Sequence, residues 1–288
     1  MKVIRNYIEI AKPGIILANL ISTAGGFFLA SGGRVDISVL LAILTGVSLV
    51  VASGCVCNNC IDRDIDRLMK RTCNRVLARR VLPVGSAWFY ASFLGIVGVA
   101  LLGTAANMLS VAIVLAGFGI YVGIYSLRLK RTCVYATLVG SLAGAAPPLA
   151  GYCAAANRFD GGAAILLAIF IVWQIPHYYA IAIFRFDDYA AAAIPILPVK
   201  QGTSAAKIHI FGCILVFIAA SLMLTFCGYT GYSYLAVTAV SGLAWLFIAL
   251  SGYNTSDERL WARKLYIFSI LAMLALSFMM SIDSTFIG

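Results

Sequence analysis

The chain has 288 residues, 62% hydrophobic and 11% charged, with a formal net charge of +10 and a mean hydropathy of +0.97. Soluble domains run near about 25% charged, so this composition excludes an ordinary soluble enzyme and leaves no room for a soluble domain beside the apolar runs. The positive charge calls for no nucleic-acid partner, because membrane orientation already accounts for it.

The N-terminal stretch MKVIRNYIEIAKPG is a basic, amphipathic lead-in without the early apolar core of a cleavable signal peptide. Apolar runs long enough to cross a hydrocarbon core as helices follow at about 14–31, 37–57, 85–104, 108–127, 133–154, 163–184, 207–227, 231–251 and 264–282. We therefore expect an all-α integral membrane protein, a single bundle of nine transmembrane helices in which residues 1–288 make one domain. Most connections are short; the exceptions are the loops at about 58–84 and 185–206.

If the N-terminus is assigned to one side and the spans alternate, that side holds 19 of the 21 Lys and Arg residues, all but Arg34 and Arg158. The positive-inside rule then places the N-terminus and both long loops in the cytoplasm and the C-terminus outside. The eight cysteines do not read as a disulfide set, since six lie within the expected spans. Cys55, Cys57 and Cys60 are read as small packing residues rather than metal ligands, because Cys55 and Cys57 point about 200° apart on a helix.

The two long loops echo one another. Each opens on acids and bases, DRDIDR at 62–67 and FRFDDY at 184–189, and each ends in a related phrase, VLPVG at 81–85 and ILPVKQG at 196–202. Two related halves facing the same side, with a site between them, would produce this pattern.

Asn58, Asp62 and Asp66 are spaced i, i+4, i+8. If the second span stays helical to about residue 66, they form one stripe roughly 12 Å long, with Asp64 pointing away. Stacked carboxylates repel unless a cation neutralises them. One resolution is Mg²⁺, which takes one or two carboxylates and completes its shell with water and phosphate oxygens. The plainer alternative is pairing with Arg63, Arg67 and Lys70 in a solvated turn; the register at a helix end, echoed by a second acidic loop, favours the metal. Arg71 and Arg75, again four apart, would clamp a diphosphate and stabilise it as a leaving group. Lys130 and Arg131 add a third basic element on the same side, and the second loop contributes Asp188, with Asp187 beside it.

His177, in WQIPHYYAIAIFRFDDY (173–189), is the one ionisable side chain well inside an expected span. Intramembrane ionisable groups are functional candidates by default, and Pro176 beside it would free backbone carbonyls. The plain alternative is a packed, hydrogen-bonded histidine. His209 is read as interfacial.

With these residues in place, the sequence resembles the UbiA superfamily of intramembrane prenyltransferases. The resemblance is carried by AKPGIILANLIS (11–22), NNCIDRDIDRLMKRTCNRVL (58–77), YSLRLKR (125–131), GSLAGAAPPLAGY (140–152), WQIPHYYAIAIFRFDDYAAAAIPILPV (173–199) and ERLWARKLYIFS (258–269). NRVL, GAAPP and WQIPH are similar to its haem-modifying branch. The resemblance implies nine helices around a central lipid-facing cavity, with Mg²⁺ as cofactor and a prenyl diphosphate at the cytoplasmic mouth. It implies Asn58, Asp62 and Asp66 at the first metal site, Asp188 at a second, Arg71, Arg75 and Lys130 near the diphosphate, and His177 as a haem contact. Two departures stand out: the second acidic motif is FRFDDY rather than two aspartates four apart, and Asn59 stands where many relatives have aspartate.

The activity so implied is farnesyl transfer from farnesyl diphosphate to the vinyl group of haem b, in the bacterial cytoplasmic (inner) membrane. Asp62, Arg71, Arg75 and His177 are the expected catalytic residues, and the product would pass to a terminal oxidase or another haem-modifying enzyme. Tyr121, Tyr125 and Trp173 are candidate π-faces for an allylic cation. The rivals are prenylation of a quinone-precursor ring, a multi-span transporter and a non-catalytic haem-binding protein. All 11 acidic residues lie at span ends or in loops, whereas transporters place coupling acids near the midplane.

Overall fold

The structure is a computed structural model that describes residues 2–284. Among these residues the architecture is all helical, with one isolated bridge between Thr230 and Ser284. A short amphipathic helix, α1 (Lys2–Ile10), leads into α2 (Pro13–Ser31), α3 (Ile37–Ile61) and, after the first long loop, α4 (Val84–Ala105). The fourth span starts as α5 (Met108–Phe118), widens into a π-helix over Gly119–Leu129, and closes as α6 (Lys130–Thr132). Then come α7 (Ala136–Ala156), α8 (Gly161–Phe184), the short α9 (Phe186–Ala191), α10 (Leu197–Phe226), α11 (Tyr232–Ser251) and α12 (Glu258–Ile282). Nine helical segments of the described residues are long and apolar enough to cross a membrane, as the apolar runs indicate.

The differences from expectation sit at amphipathic ends. The seventh span begins at Leu197 rather than near 207, with a break at Gly202, whose φ of 87° suits only glycine. The ninth begins at Glu258, where Asp257 caps the helix by accepting from the Leu260 N–H. The second span stops at Ile61 and does not run helically to 66. Asp62 takes φ −87° and ψ 2°, and Ile65–Arg67 form a separate 3₁₀ turn. Two bonds survive from the expected register, Asp62 N–H to the Asn58 carbonyl at 2.9 Å and Asp66 N–H to the Asp62 carbonyl at 2.8 Å.

Packing between spans relies on small residues, as it must where lipid offers no hydrophobic drive between helices. A Cβ on Gly26 would come within 2.1 Å of the Pro148 carbonyl oxygen, and one on Gly151 within 2.1 Å of the Thr23 carbonyl oxygen, so α2 and α7 touch backbone to backbone. Gly25 similarly admits Ser277 of α12. Polar side chains tie backbone carbonyls of neighbouring helices together: Asn107 donates to the Cys153 carbonyl, Ser110 to Ala150, Gln174 to Ser141 and Ser53 to Ala91. The largest core cluster joins α7, α8, α10, α11 and α12. A second joins α3, α4 and the first loop.

Candidate active site

An apolar cavity opens between α2, α3, the fourth span, α7 and α8, walled by Asn19, Val47, Cys55, Tyr121, Gly144 and Tyr178 among others. Cys55 is one turn below Asn58 on α3, so the cavity lies directly beneath the acidic cluster. All eight cysteines are free thiols, and Cys57 and Cys60 pack in the core beside α4, as their apolar reading requires.

Asn58, Asp62 and Asp66 are all buried, and each oxygen side chain meets a cation. Lys12 Nζ donates to Asn58 Oδ1 at 2.7 Å. Lys130 Nζ donates to Asp62 Oδ2, which also accepts from Asn58 Nδ2 at 2.7 Å. Arg75 donates to both oxygens of Asp66 at 2.9 Å. Asp62 Oδ1 is buried without a hydrogen-bond partner, with the Arg131 guanidinium 4.0 Å away. The π-helix brings Ser126 within reach of the same network, where its Oγ accepts from Asn58 Nδ2 at 3.2 Å. An extra residue per turn is the usual signature of a π segment at a functional site; here it turns Lys130 toward α3.

The second loop joins from the opposite side. Asp188 is buried and accepts the Lys70 backbone N–H at 2.7 Å, while Ile65 and Met69 pack on Ala192 and Ile194. Asp187 faces away and pairs with Arg259 at 2.8 Å on the surface. Arg71 is exposed, beside Tyr189, and no carboxylate among the described residues pairs with it.

Arg131, expected beside Lys130 as a further basic element for the diphosphate, is engaged with the first loop. Its guanidinium grips both oxygens of Asp64 at 2.7 Å and donates to the Ile61 carbonyl at 2.9 Å. The Asp64 carboxyl is held down at about 2, first by the Arg131 hydrogen bonds. Asp64 does point away from the stripe, but it anchors the fourth span to the first loop. Asn59 donates to the Ile10 carbonyl at 2.7 Å and so holds α1 rather than facing the stripe.

Two residues at this end are invisible to spacing. Lys12 counts in the sequence only as one more cytoplasmic charge, yet it reaches Asn58 across 46 positions. Desolvation, with Arg75 and Lys130 beside it, lowers its ammonium to about 8. Tyr178 joins Tyr121 in the cavity wall, while Tyr121 and Tyr125 stack with ring centroids 6.2 Å apart. Trp173, expected near the cation, instead donates to the Ser269 carbonyl at 2.8 Å and stacks on His177.

The donor set suits a hard divalent cation: amide and carboxylate oxygens, buried, one of them lacking any hydrogen bond. Among the described residues no three His, Cys, Asp or Glu side chains close on a common point.

The family model described as UbiA prenyltransferase family matches residues 19–277. The chain belongs to that family. The prenyltransferase is 58% identical over 280 residues to the protoheme IX farnesyltransferase of Photorhabdus laumondii, covering 97% of this chain and 95% of the relative. It is 57% identical to the protein of the same name from Chromohalobacter salexigens, with the same coverage. Among solved structures, one concerning digeranylgeranylglyceryl phosphate synthase superposes with a TM-score of 0.80 at 17% identity, over 98% of this chain and 99% of the other. A UbiA homologue from Archaeoglobus fulgidus bound to GPP and Mg²⁺ superposes with a TM-score of 0.76 at 17% identity, over 96% and 99%. At such identities these two matches establish the fold of the prenyltransferase.

Proposed function

We propose that this prenyltransferase moves a farnesyl group from farnesyl diphosphate to the vinyl group of protohaem IX, giving haem O. The observation that carries the reading is the 58% identity, over 97% of the chain, to a protein named for that reaction. The site chemistry is consistent with it.

Asn58, Asp62, Asp66 and Asp188 are the residues that would hold Mg²⁺. Bound there, the ion neutralises negative charge on a diphosphate. Lys12 on the Asn58 amide oxygen, and Lys130 and Arg75 on the two carboxylates, are with Arg71 the cations that would meet a diphosphate at this mouth. The C1–O bond of the donor breaks with its electron pair leaving on the diphosphate, whose charge these side chains stabilise. C1 bonds to the terminal vinyl carbon of the haem. The cation left on the ring-side carbon takes the oxygen of water, and the surplus proton departs to the released diphosphate or to the aqueous mouth. Tyr121 and Tyr178 present π-faces in a cavity that keeps water from the allylic cation until the new bond has formed.

His177 is the haem-contacting residue in this reading. The loops face the cytoplasm of a bacterial inner membrane with the C-terminus opposite, and the product passes to a terminal oxidase or another haem-modifying enzyme. Membranes containing the protein, supplied with farnesyl diphosphate, Mg²⁺ and haem b, should yield a haem heavier by a farnesyl group and a hydroxyl. A prenylated quinone precursor with unchanged haem would overturn the substrate assignment.

A further inference from the structure

The seam between α8 and α12 carries a polar constellation that the diphosphate chemistry leaves unused. On α8, Trp173, His177 and Phe184 recur at four and seven residues and share one stripe. On α12, Arg263, Tyr266 and Ser269 follow at intervals of three. The two stripes meet. Trp173 donates to the Ser269 carbonyl, His177 Nδ1 lies 2.7 Å from Ser269 Oγ, and the His177 ring is 5.1 Å from that of Tyr266. At the loop end, the guanidiniums of Arg185 and Arg263 flank the Phe184 ring at 4.5 and 5.9 Å.

The hydrogen bonds fix the imidazole tautomer. Ser269 is fully buried, and its hydroxyl has one proton, which it donates to the Tyr266 carbonyl at 2.6 Å. The serine oxygen can therefore only accept from His177, so the ring proton sits on Nδ1. Nε2 keeps its lone pair, and no described residue donates to it. A neutral imidazole held through Nδ1–H with Nε2 free is the form that ligates iron. The ring abuts Tyr178, which walls the cavity, at 5.5 Å.

The arginines complete the pattern. Both are exposed, and among the described residues no carboxylate pairs with either, although Asp187 and Arg259 pair close by. Arg185 lies eight residues beyond His177, about 12 Å along α8, and Arg263 lies six before Ser269, about 9 Å along α12. Those offsets suit a porphyrin whose iron is at His177 and whose carboxylates reach toward the loops.

We propose that the α8–α12 seam is the acceptor subsite. His177 Nε2 binds the haem iron, Ser269 is the positioning residue that sets its tautomer, and Arg185 with Arg263 receives the two propionates. The proposal rests on protohaem being the acceptor, and it adds the residues that orient it.

The test is a titration of the purified full-length protein with ferrous protohaem, read by its Soret band and by the iron–histidine stretch in resonance Raman spectra. Wild type is expected to show that stretch and His177→Ala to lose it. Ser269→Ala should shift and broaden it, and Ser269→Thr should restore it. Arg185→Ala with Arg263→Ala should weaken protohaem binding by about tenfold or more, while leaving binding of protohaem dimethyl ester, which has no carboxylates, unchanged. An unaltered stretch in Ser269→Ala, or equal discrimination between haem and ester in wild type and the arginine variant, would overturn the proposal. Farnesylation of haem by wild-type membranes separates the two readings. If haem is farnesylated and the variants bind as wild type does, only this subsite is wrong. If haem is neither bound nor farnesylated, the acceptor itself is wrong.

Discussion

The two long loops are built on one plan and loaded differently. Each closes with a left-handed residue that is not glycine, Arg80 at φ 58° and Ala193 at φ 51°. Each left-handed residue precedes a bond spanning five residues, Val81 N–H to the Val76 carbonyl and Ile194 N–H to the Tyr189 carbonyl. Each then enters the next span through Leu-Pro-Val. The αL turn with its long bond is the Schellman form. The charges differ. The first loop carries Asp62 and Asp66 inward, each against a cation, whereas the second carries Asp188 inward and sends Asp187 out to Arg259. The shared scaffold places the loops face to face; the side chains assign the first to holding charge and the second to closing over it.

That contrast can be broken most severely at the first loop. Asp62→Ala removes the partner of Lys130 and the oxygen that lacks a hydrogen bond, and farnesylated haem should fall by on the order of a hundredfold or more, measured by mass at matched protein levels. Arg75→Ala should abolish activity comparably. It also leaves Asp66 buried and unpaired, a cost of about 3 kcal/mol that a thermal-unfolding assay in detergent would register. At the second loop, Asp188→Ala loses the contact to Lys70, and a smaller loss of about tenfold is expected; a loss as large as that of Asp62→Ala would mean the loops are equals. Asp64→Ala should cost a few-fold through Arg131, visible as increased proteolysis near residue 131. Asp187→Ala breaks an exposed pair worth about 0–1 kcal/mol and should leave turnover within twofold.

The spans were legible because length and apolarity are what a bilayer demands. The ends of α10 and α12 were not, since amphipathic turns outside the hydrocarbon carry no such signature. The Asn58–Asp62–Asp66 spacing named three side chains that do gather, but through a different backbone: Asp62 ends the helix, and two backbone hydrogen bonds, Asp62 N–H to Asn58 and Asp66 N–H to Asp62, keep the three together. The pairing of Arg131 with Asp64 was not legible, because a count of charges does not say which carboxylate a guanidinium will meet. Lys12 and Ser269 carry no local signal at all. Each becomes significant through a partner 46 or 92 residues away, and only the packing of α2 on α3 and of α12 on α8 brings that partner near.

The close approach of α2 to both α7 and α12 also bears on how the molecule is made. Helix α2 leaves the ribosome first among the spans, yet two of its backbone contacts, Gly26 to Pro148 and Gly25 to Ser277, wait for the fifth and the last. At about 5–20 residues per second, α2 stays in the bilayer for on the order of ten to fifty seconds before its final neighbour is synthesised. Gly26 waits for its helix only until the fifth span, whereas Gly25 waits until the last. The seam holding His177 is thus the last part of the molecule to come into being, and a chain shortened by one span would have its diphosphate end assembled with no place for the acceptor.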